Sequence, residues 1–343
     1  MATFSNGITT DKKLSTKRDV KNYQKPIILT PDKYYTFGDG DEECEYNIKI
    51  DNIRSTHWGQ LKLFVSELQV LTYYGDPSIC NTIIYVGAAP GEHLFLLARM
   101  FSEYNFHLYD LKQFDKRLEE LDNVTLYNKY FTQEDVDKWK KKDIKIFLIS
   151  DIRSLNYTKL QRVNSQKAED EVWENMNMQK DWYIQMECYM GLFKFKLPYV
   201  VGYNLKKGKT REYLDGIVFR QVYQKNNSSE TRLLTRGIGY RDWDIVRYEK
   251  KNAYHNQVSR EKTFFKNPID FTDDPIYPEQ GFLNDYDSVV FATILKDFLI
   301  KINQEVDLNK IRNLIDLVIS EVTITGKNKL ISKGVENDDE EDE

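Results

Sequence analysis

NTIIYVGAAPG, residues 81–91, is the stretch whose reading decides the fold. Ile83, Ile84, Tyr85 and Val86 form a short unbroken apolar run, the pattern of a strand covered on both faces. The run ends in Gly87-Ala88-Ala89-Pro90-Gly91, a turn with almost no side-chain volume, where a ligand can approach the backbone closely. Pro90 suits the first turn of a helix, and His93-Leu94-Phe95-Leu96-Leu97-Ala98 continues it. Strand, small-residue turn and helix open a doubly wound sheet whose ligand sits at the carboxyl end of the first strand. The spacing is GxxxG, which is neither the dinucleotide GxGxxG nor a phosphate loop ending in GK[ST].

Working outward, Phe106-His107-Leu108-Tyr109 reads as a second strand ending at Asp110. That acid falls roughly twenty residues after the turn, where a carboxylate can bind ribose hydroxyls. Ile144 to Ser150 is a third buried strand, ending at Asp151. Acids at the ends of strands in one open sheet face one crevice, and an adenosine-type cofactor is its natural occupant. Upstream, Trp58 to Tyr74 reads as a helix, with Leu61, Val65, Leu68 and Leu71 at three- and four-residue steps and Lys62 between apolar positions. Helical segments near 90–102 and 132–142 alternate with the strands, so the fold class is α/β, a Rossmann-like, mostly parallel sheet with helices on both faces.

Beyond it the pattern predicts a long helix over 168–192, a strand Phe193–Leu197 stopped by Pro198, and strands at 216–223, 231–236 and 244–248. Closing helices are expected over 286–301 and 308–322. Residues 1–25 are polar and expected to be disordered, 26–325 to form one domain, and 326–343 to be an acidic disordered tail.

Composition narrows the function. At 343 residues and 41% hydrophobic, the chain can fill the core of one α/β unit with additions. Cys44, Cys80 and Cys188 show no disulfide or metal spacing, which points to a reducing compartment. No apolar leader and no window approaching a membrane span are found, so a soluble cytoplasmic protein with no membrane partner is expected. His57, His93, His107 and His255 have no metal-ligand spacing, and no Ser/His/Asp arrangement stands out, so no metal is expected. The net charge of −5 hides a division, because Glu336 to Glu343 carry seven acids and no base and the remaining residues sum to +2. Lys194 to Arg260 holds fifteen Lys and Arg against six Asp and Glu, threaded with Phe195, Tyr199, Tyr203, Tyr213, Tyr240 and Trp243. Such a segment suits a polyanion whose bases can stack, and charge alone fits a solvated surface equally.

Ordered blocks carry a resemblance over roughly residues 45–300. They are Gly59-Gln60-Leu61-Lys62-Leu63, Tyr85-Val86-Gly87 with Ala89-Pro90-Gly91, and Leu148-Ile149-Ser150-Asp151-Ile152-Arg153-Ser154. Lys194 with Pro198, Glu230-Thr231-Arg232-Leu233-Leu234 and Tyr248-Glu249-Lys250-Lys251 follow. In this order and at similar spacing they resemble the poxvirus family of cap-specific mRNA nucleoside 2′-O-methyltransferases, which double as poly(A) polymerase regulatory subunits. The resemblance implies a catalytic tetrad on Lys62, Asp151, Lys194 and Glu230, with S-adenosylmethionine as cofactor. A ribose 2′-hydroxyl must lose its proton as it attacks a methyl group, and a free lysine, with pKa about 10.4, is mostly charged at neutral pH. Crowding Lys194 against Lys62 and a sulfonium would depress its pKa, while Asp151 and Glu230 orient the amines. Lys196, two residues on along the strand, is the rival in alignment; the spacing to the proline favours Lys194.

For the cofactor the resemblance implies Gln60, Tyr85, Gly87, Gly91, Asp110, Lys112, Phe131 and Asp151. Lys112 stands where the family has arginine, and Phe131, in place of a smaller apolar residue, would cover the adenine. For the cap it implies Tyr199 and Glu249, with Tyr46 as the opposing aromatic: stacking and cation–π attraction would hold N7-methylguanine while the acid accepts from its N1 and N2 hydrogens. A second cap acid of the family falls on Val201, a departure. Arg232, Lys206, Lys207 and Lys209 are candidates for transcript phosphates. The expected partners are capped mRNA and a poly(A) polymerase catalytic subunit, in the host cytoplasm or the virion of a large DNA virus. A 2′-O-methyltransferase of uncapped or ribosomal RNA, and a non-catalytic polymerase processivity subunit, are the alternatives.

Overall fold

A computed structural model describes residues 23–24, 36–46, 55, 57–153, 165–200, 209–262, 264–265 and 285–322. Strands β1 (Thr82–Val86), β2 (Asn105–Tyr109), β3 (Val124–Tyr127), β4 (Ile146–Ser150), β5 (Met190–Phe195), β6 (Thr210–Leu214), β7 (Ile217–Phe219), β8 (Thr231–Thr235) and β9 (Tyr240–Asp244) follow in chain order. Seven of them form the central sheet, ordered β3-β2-β1-β4-β5-β8-β7. The neighbours from β3 to β5 are parallel, and β8 runs antiparallel to both β5 and β7. β6 and β9 pair apart as an antiparallel ribbon, and Tyr23–Gln24 pairs in parallel with Phe264–Phe265. The strand order reverses at β1, so the crevice opens beyond the carboxyl ends of β1 and β4.

Helices α1 (Gly59–Tyr74), α2 (Glu92–Met100), α3 (Gln133–Lys140), α4 (Ser165–Gln185), α5 (Ile245–Tyr254), α6 (Tyr286–Lys301) and α7 (Leu308–Val322) enclose the sheet. Each residue of β1 and β4 is buried, as a strand covered on both faces requires. Alternation then sorts the side chains. Ile83, Tyr85, Phe147, Ile149, Met190, Leu192 and Leu234 pack with α1, α2, α6 and α7; Ile84, Val86, Leu148, Phe193, Phe195 and Leu233 pack with α3 and α4. Lys194 shares the parity of Leu192, and Glu230 and Arg232 share that of Leu234, so all three face the α1 side. α1 buries Leu61, Phe64, Val65, Leu68 and Leu71, each contributing about 1.5–3 kcal/mol. Its carboxyl end is closed by Lys301, whose ammonium donates to the carbonyls of Leu71, Thr72 and Gly75 at 3.0, 2.9 and 2.6 Å.

Four expectations differ from the structure, the first being the strand over 216–223, of which only β7, Ile217–Phe219, forms. The long helix stops at Gln185 and the strand starts at Met190, because Glu187 adopts φ 53° and turns the chain without a glycine to mark the place. The strand expected over 244–248 is instead the end of β9 followed by α5, with the Asp244 carboxylate accepting from the Arg247 N–H at 2.9 Å as an N-cap. Helix α2 begins at Glu92, after Gly91 at φ 73°, so Pro90 belongs to the turn.

Candidate active site

Four distant segments converge at the mouth of the crevice. Lys62 comes from the first turn of α1, Asp151 follows β4, Lys194 is the penultimate residue of β5, and Glu230 precedes β8. The Lys62 ammonium donates to Glu230 Oε1 at 2.9 Å. Lys194 Nζ lies 3.3 Å from Asp151 Oδ1 and 3.4 Å from Glu230 Oε2. Because β8 pairs Arg232 directly opposite Lys194, the Arg232 guanidinium also enters, donating to Asp151 Oδ1 at 2.6 Å. Arg153 completes the cluster 3.7 Å from Glu230 Oε2. The Arg232 side chain, a candidate for a transcript phosphate, is 3% exposed and turned to Asp151. Neither arginine's place here was foreseen. The available signal was the Asp151-Ile152-Arg153 sequence and the need of buried carboxylates for cations.

The electrostatics favour a lysine that gives up its proton. Burial holds the Lys194 amine below its ordinary range; Arg153 and Lys62 push the same way, against Asp151 and Glu230. Burial, rather than the crowding by Lys62 anticipated from the residue types, is the largest cause. For Asp151 burial opposes ionisation, yet Arg232 and Lys194 keep the carboxyl below the usual range. Glu230 is held well below it against the same burial, by Lys194, Lys62 and Arg232. Lys62, Arg153, Lys194 and Arg232 thus surround two ionised carboxylates, and a neutral Lys194 reduces the surplus of positive charge. Lys196 is not an alternative at this place. The strand ends at Phe195, and the Lys196 amine turns to Glu169 of α4 at 3.4 Å, where burial lowers it to about 8.

The residues expected around a nucleotide cofactor line the turn after β1. Gly87 adopts φ 81°, and a Cβ there would meet the Asp151 carbonyl carbon at 3.0 Å, so only glycine lets β1 and β4 end side by side. Asp110 accepts from the Ala89 N–H at 3.1 Å and the Lys112 N–H at 2.9 Å, which ties the turn to the end of β2 and leaves each oxygen a further lone pair. The Lys112 side chain is exposed. Gln60 Oε1 lies 2.8 Å from His93 Nδ1, His93 Nε2 lies 3.2 Å from Glu67, and the Tyr85 hydroxyl donates to Glu67 at 2.6 Å. Tyr85 therefore reaches inward with its side chain and can meet a ligand only through its backbone. Phe131 is 7% exposed and packs edge-on against Tyr109 and Trp182, at 4.9 and 5.1 Å between ring centroids. The small-residue turn and Asp110 at the end of the next strand fit an adenosine-containing group.

Tyr46, Tyr199 and Glu249 gather beside the tetrad. The two rings are 6.2 Å apart and meet edge-on at 76°. Glu249 is 9% exposed; burial raises its pKa, and its Oε2 accepts from the Val200 N–H at 2.5 Å. The Lys196 ammonium sits 4.4 Å over the Tyr199 ring, so one face of that ring already has a cation. Lys209 is exposed, while Lys206, Lys207 and Val201 lie outside the described residues. Among the described residues no group of His, Cys, Asp or Glu is arranged to hold a metal ion, and no helix is long and apolar enough to cross a membrane.

The sheet order, the glycine turn and the acids beyond β2 and β4 define a Rossmann-like α/β class of fold. Within it the chain belongs to the poly(A) polymerase regulatory subunit family, whose model matches residues 28–320. The cap-specific mRNA (nucleoside-2′-O-)-methyltransferase of fowlpox virus (strain NVSL) is 26% identical over 285 residues, 78% of this chain and 84% of that protein. The protein of the same description from myxoma virus (strain Lausanne) is 27% identical over 256 residues, 69% of this chain and 72% of its own. Among solved structures, bluetongue virus VP4, described as a multifunctional RNA-capping production-line, is a loose likeness: TM-score 0.36 and 14% identity over 80% of this chain and 43% of that one.

Proposed function

We propose that this chain transfers a methyl group from S-adenosylmethionine to the ribose 2′-oxygen of the first transcribed nucleotide of N7-methylguanosine-capped RNA. The observation that carries this reading is the Lys194 amine, held 3.3 and 3.4 Å from two carboxylates and below its usual pKa at the crevice mouth. The cofactor supplies an electrophilic methyl on a sulfonium. Gly87, Gly91, Asp110 and Gln60 are the residues to hold it, and Phe131 closes the far wall.

Lys194 in its neutral form accepts the 2′-hydroxyl proton at Nζ as the oxygen attacks. Asp151 and Glu230 aim the amine, Lys62 and Arg232 keep those carboxylates ionised, and the protonated product amine is at once paired by both. No metal is needed for this proton transfer. On this reading Tyr199 and Tyr46 receive the cap base and Glu249 accepts from its edge, while Lys206, Lys207 and Lys209 are the candidates for transcript phosphates. The names of the fowlpox and myxoma virus relatives support a capped mRNA substrate and a viral protein. The family description supports a second role beside a poly(A) polymerase catalytic subunit, tested by co-purification.

The decisive experiment is transfer from labelled cofactor to three matched RNAs bearing an N7-methylguanosine cap, an unmethylated guanosine cap, and none. Label on the 2′-oxygen of the first capped RNA alone, lost in Glu249→Ala, is expected. Equal labelling of all three would make the enzyme a 2′-O-methyltransferase of uncapped RNA, and no labelling of any would leave only the polymerase role.

A further inference from the structure

The segment Asn227–Ser229 joins the aromatic cleft to the tetrad. Its carbonyls are each held by a tyrosine hydroxyl: Asn227 O accepts from Tyr199 at 2.7 Å, Ser228 O from Tyr46 at 2.7 Å, and Ser229 O from Tyr248 at 2.5 Å. The Ser229 N–H donates back to the Tyr199 hydroxyl at 3.2 Å, and Asn256, fully buried in the π-helical turn His255–Ser259, donates to Ser228 O at 2.6 Å. The next residue is Glu230, whose carboxylate contacts both Lys62 and Lys194. Tyr46 and Tyr199 are also the two rings that meet edge-on, so a flat base can enter between them only if a ring turns. Each hydroxyl is fixed at the far tip of its ring. Because the hydroxyl oxygen lies on the axis about which the ring turns, a ring can rotate to admit a base while its hydroxyl keeps its hold on the strap.

We propose that the hydroxyls of Tyr199 and Tyr46 are positioning groups for methyl transfer, holding the strap Asn227–Ser229 so that Glu230 aims Lys194 when a base occupies the cleft. This rests on the cap-directed reading above. The ring and the hydroxyl then have separable duties: the ring binds the base, and the hydroxyl sets the carboxylate three residues further on. Neither composition nor motif spacing marks this arrangement, since the strap's own residues, Asn-Ser-Ser, carry no charge.

The test is Tyr199→Phe, assayed on N7-methylguanosine-capped and uncapped RNA with cofactor binding and melting temperature measured alongside. The expected result is a fall in kcat on capped RNA of about three- to tenfold or more, since both hydrogen bonds of that hydroxyl to the strap are lost, with KM for that RNA changed less than about twofold. The ratio of kcat with a cap to kcat without one falls with it, whereas Tyr199→Ala, which removes the ring, raises KM. An unchanged kcat, or a change in KM alone, overturns the proposal. Should Tyr199→Phe lose cofactor binding, Tyr46→Phe gives the same reading through Ser228, with the same two outcomes. Failure of the cap-directed reading shows separately, as a wild-type enzyme that does not distinguish the capped RNA.

Discussion

Lys194 occupies a place where an ammonium ion is expensive to keep and two carboxylates nevertheless hold it in line. Burial lowers its proton affinity and the acids raise it, so the amine can gain and lose a proton without leaving its position. Lys194→Ala is expected to keep cofactor binding and melting behaviour close to wild type while methyl transfer falls about 10²–10⁴-fold, measured with labelled cofactor. On the proposed reading, in which the neutral amine accepts the proton, kcat should climb as pH rises through the depressed pKa and level off above it. Lys194→Arg should be inactive over the same range, since a guanidinium does not release its proton. The tetrad is legible only through the family resemblance, because each member taken singly reads as an ordinary surface or turn residue and only the ordered blocks around them mark the set. Arg232 is different. Its role follows from pairing opposite Lys194 across two antiparallel strands, a register that linear spacing does not contain.

Elements with strong internal periodicity read true. The apolar steps predict helices over 286–301 and 308–322, and α6 and α7 occupy those spans. The continuous apolar runs mark β1 and β4 within two residues of their ends. The ribbon β6–β9 is not legible, because TREYL and YRDWD are polar segments whose strand character comes from each other and from Tyr213 and Trp243 packing against Phe195. The helix end at Gln185 is hidden for the opposite reason, an apolar stretch that runs on past the turn. The turn after β1 is the element most exposed to test. Gly87→Val places a β-branched side chain at φ 81° and against the Asp151 backbone, so a loss of about 2 kcal/mol or more in stability is expected in denaturant titration, with weakened cofactor binding by calorimetry.

At the scale of the molecule, a basic middle segment and an acidic end share one chain of modest net charge. If Lys206, Lys207 and Lys209 meet transcript phosphates, RNA affinity should fall linearly on a log–log plot against salt. The slope should lessen by about 0.7 for each lysine changed to alanine, as counterion release from a single strand requires. Binding titrations at several ionic strengths measure it. A cap contribution made by stacking, as proposed, should persist at salt concentrations that remove this term.

The reversal of β8 has an architectural consequence. In a wholly parallel sheet only the last residue of each strand reaches the crevice, and the chemistry must be drawn from those positions. Running β8 the other way presents its beginning there; turned round, Thr235 would sit at the rim and Glu230 about 17 Å below it on the far edge. The carboxylate facing Lys194 thus hangs from the connection between β7 and β8. That connection can grow or change its contacts with RNA while the five parallel strands behind it keep their geometry, so substrate choice and cofactor handling are free to evolve on separate pieces of chain.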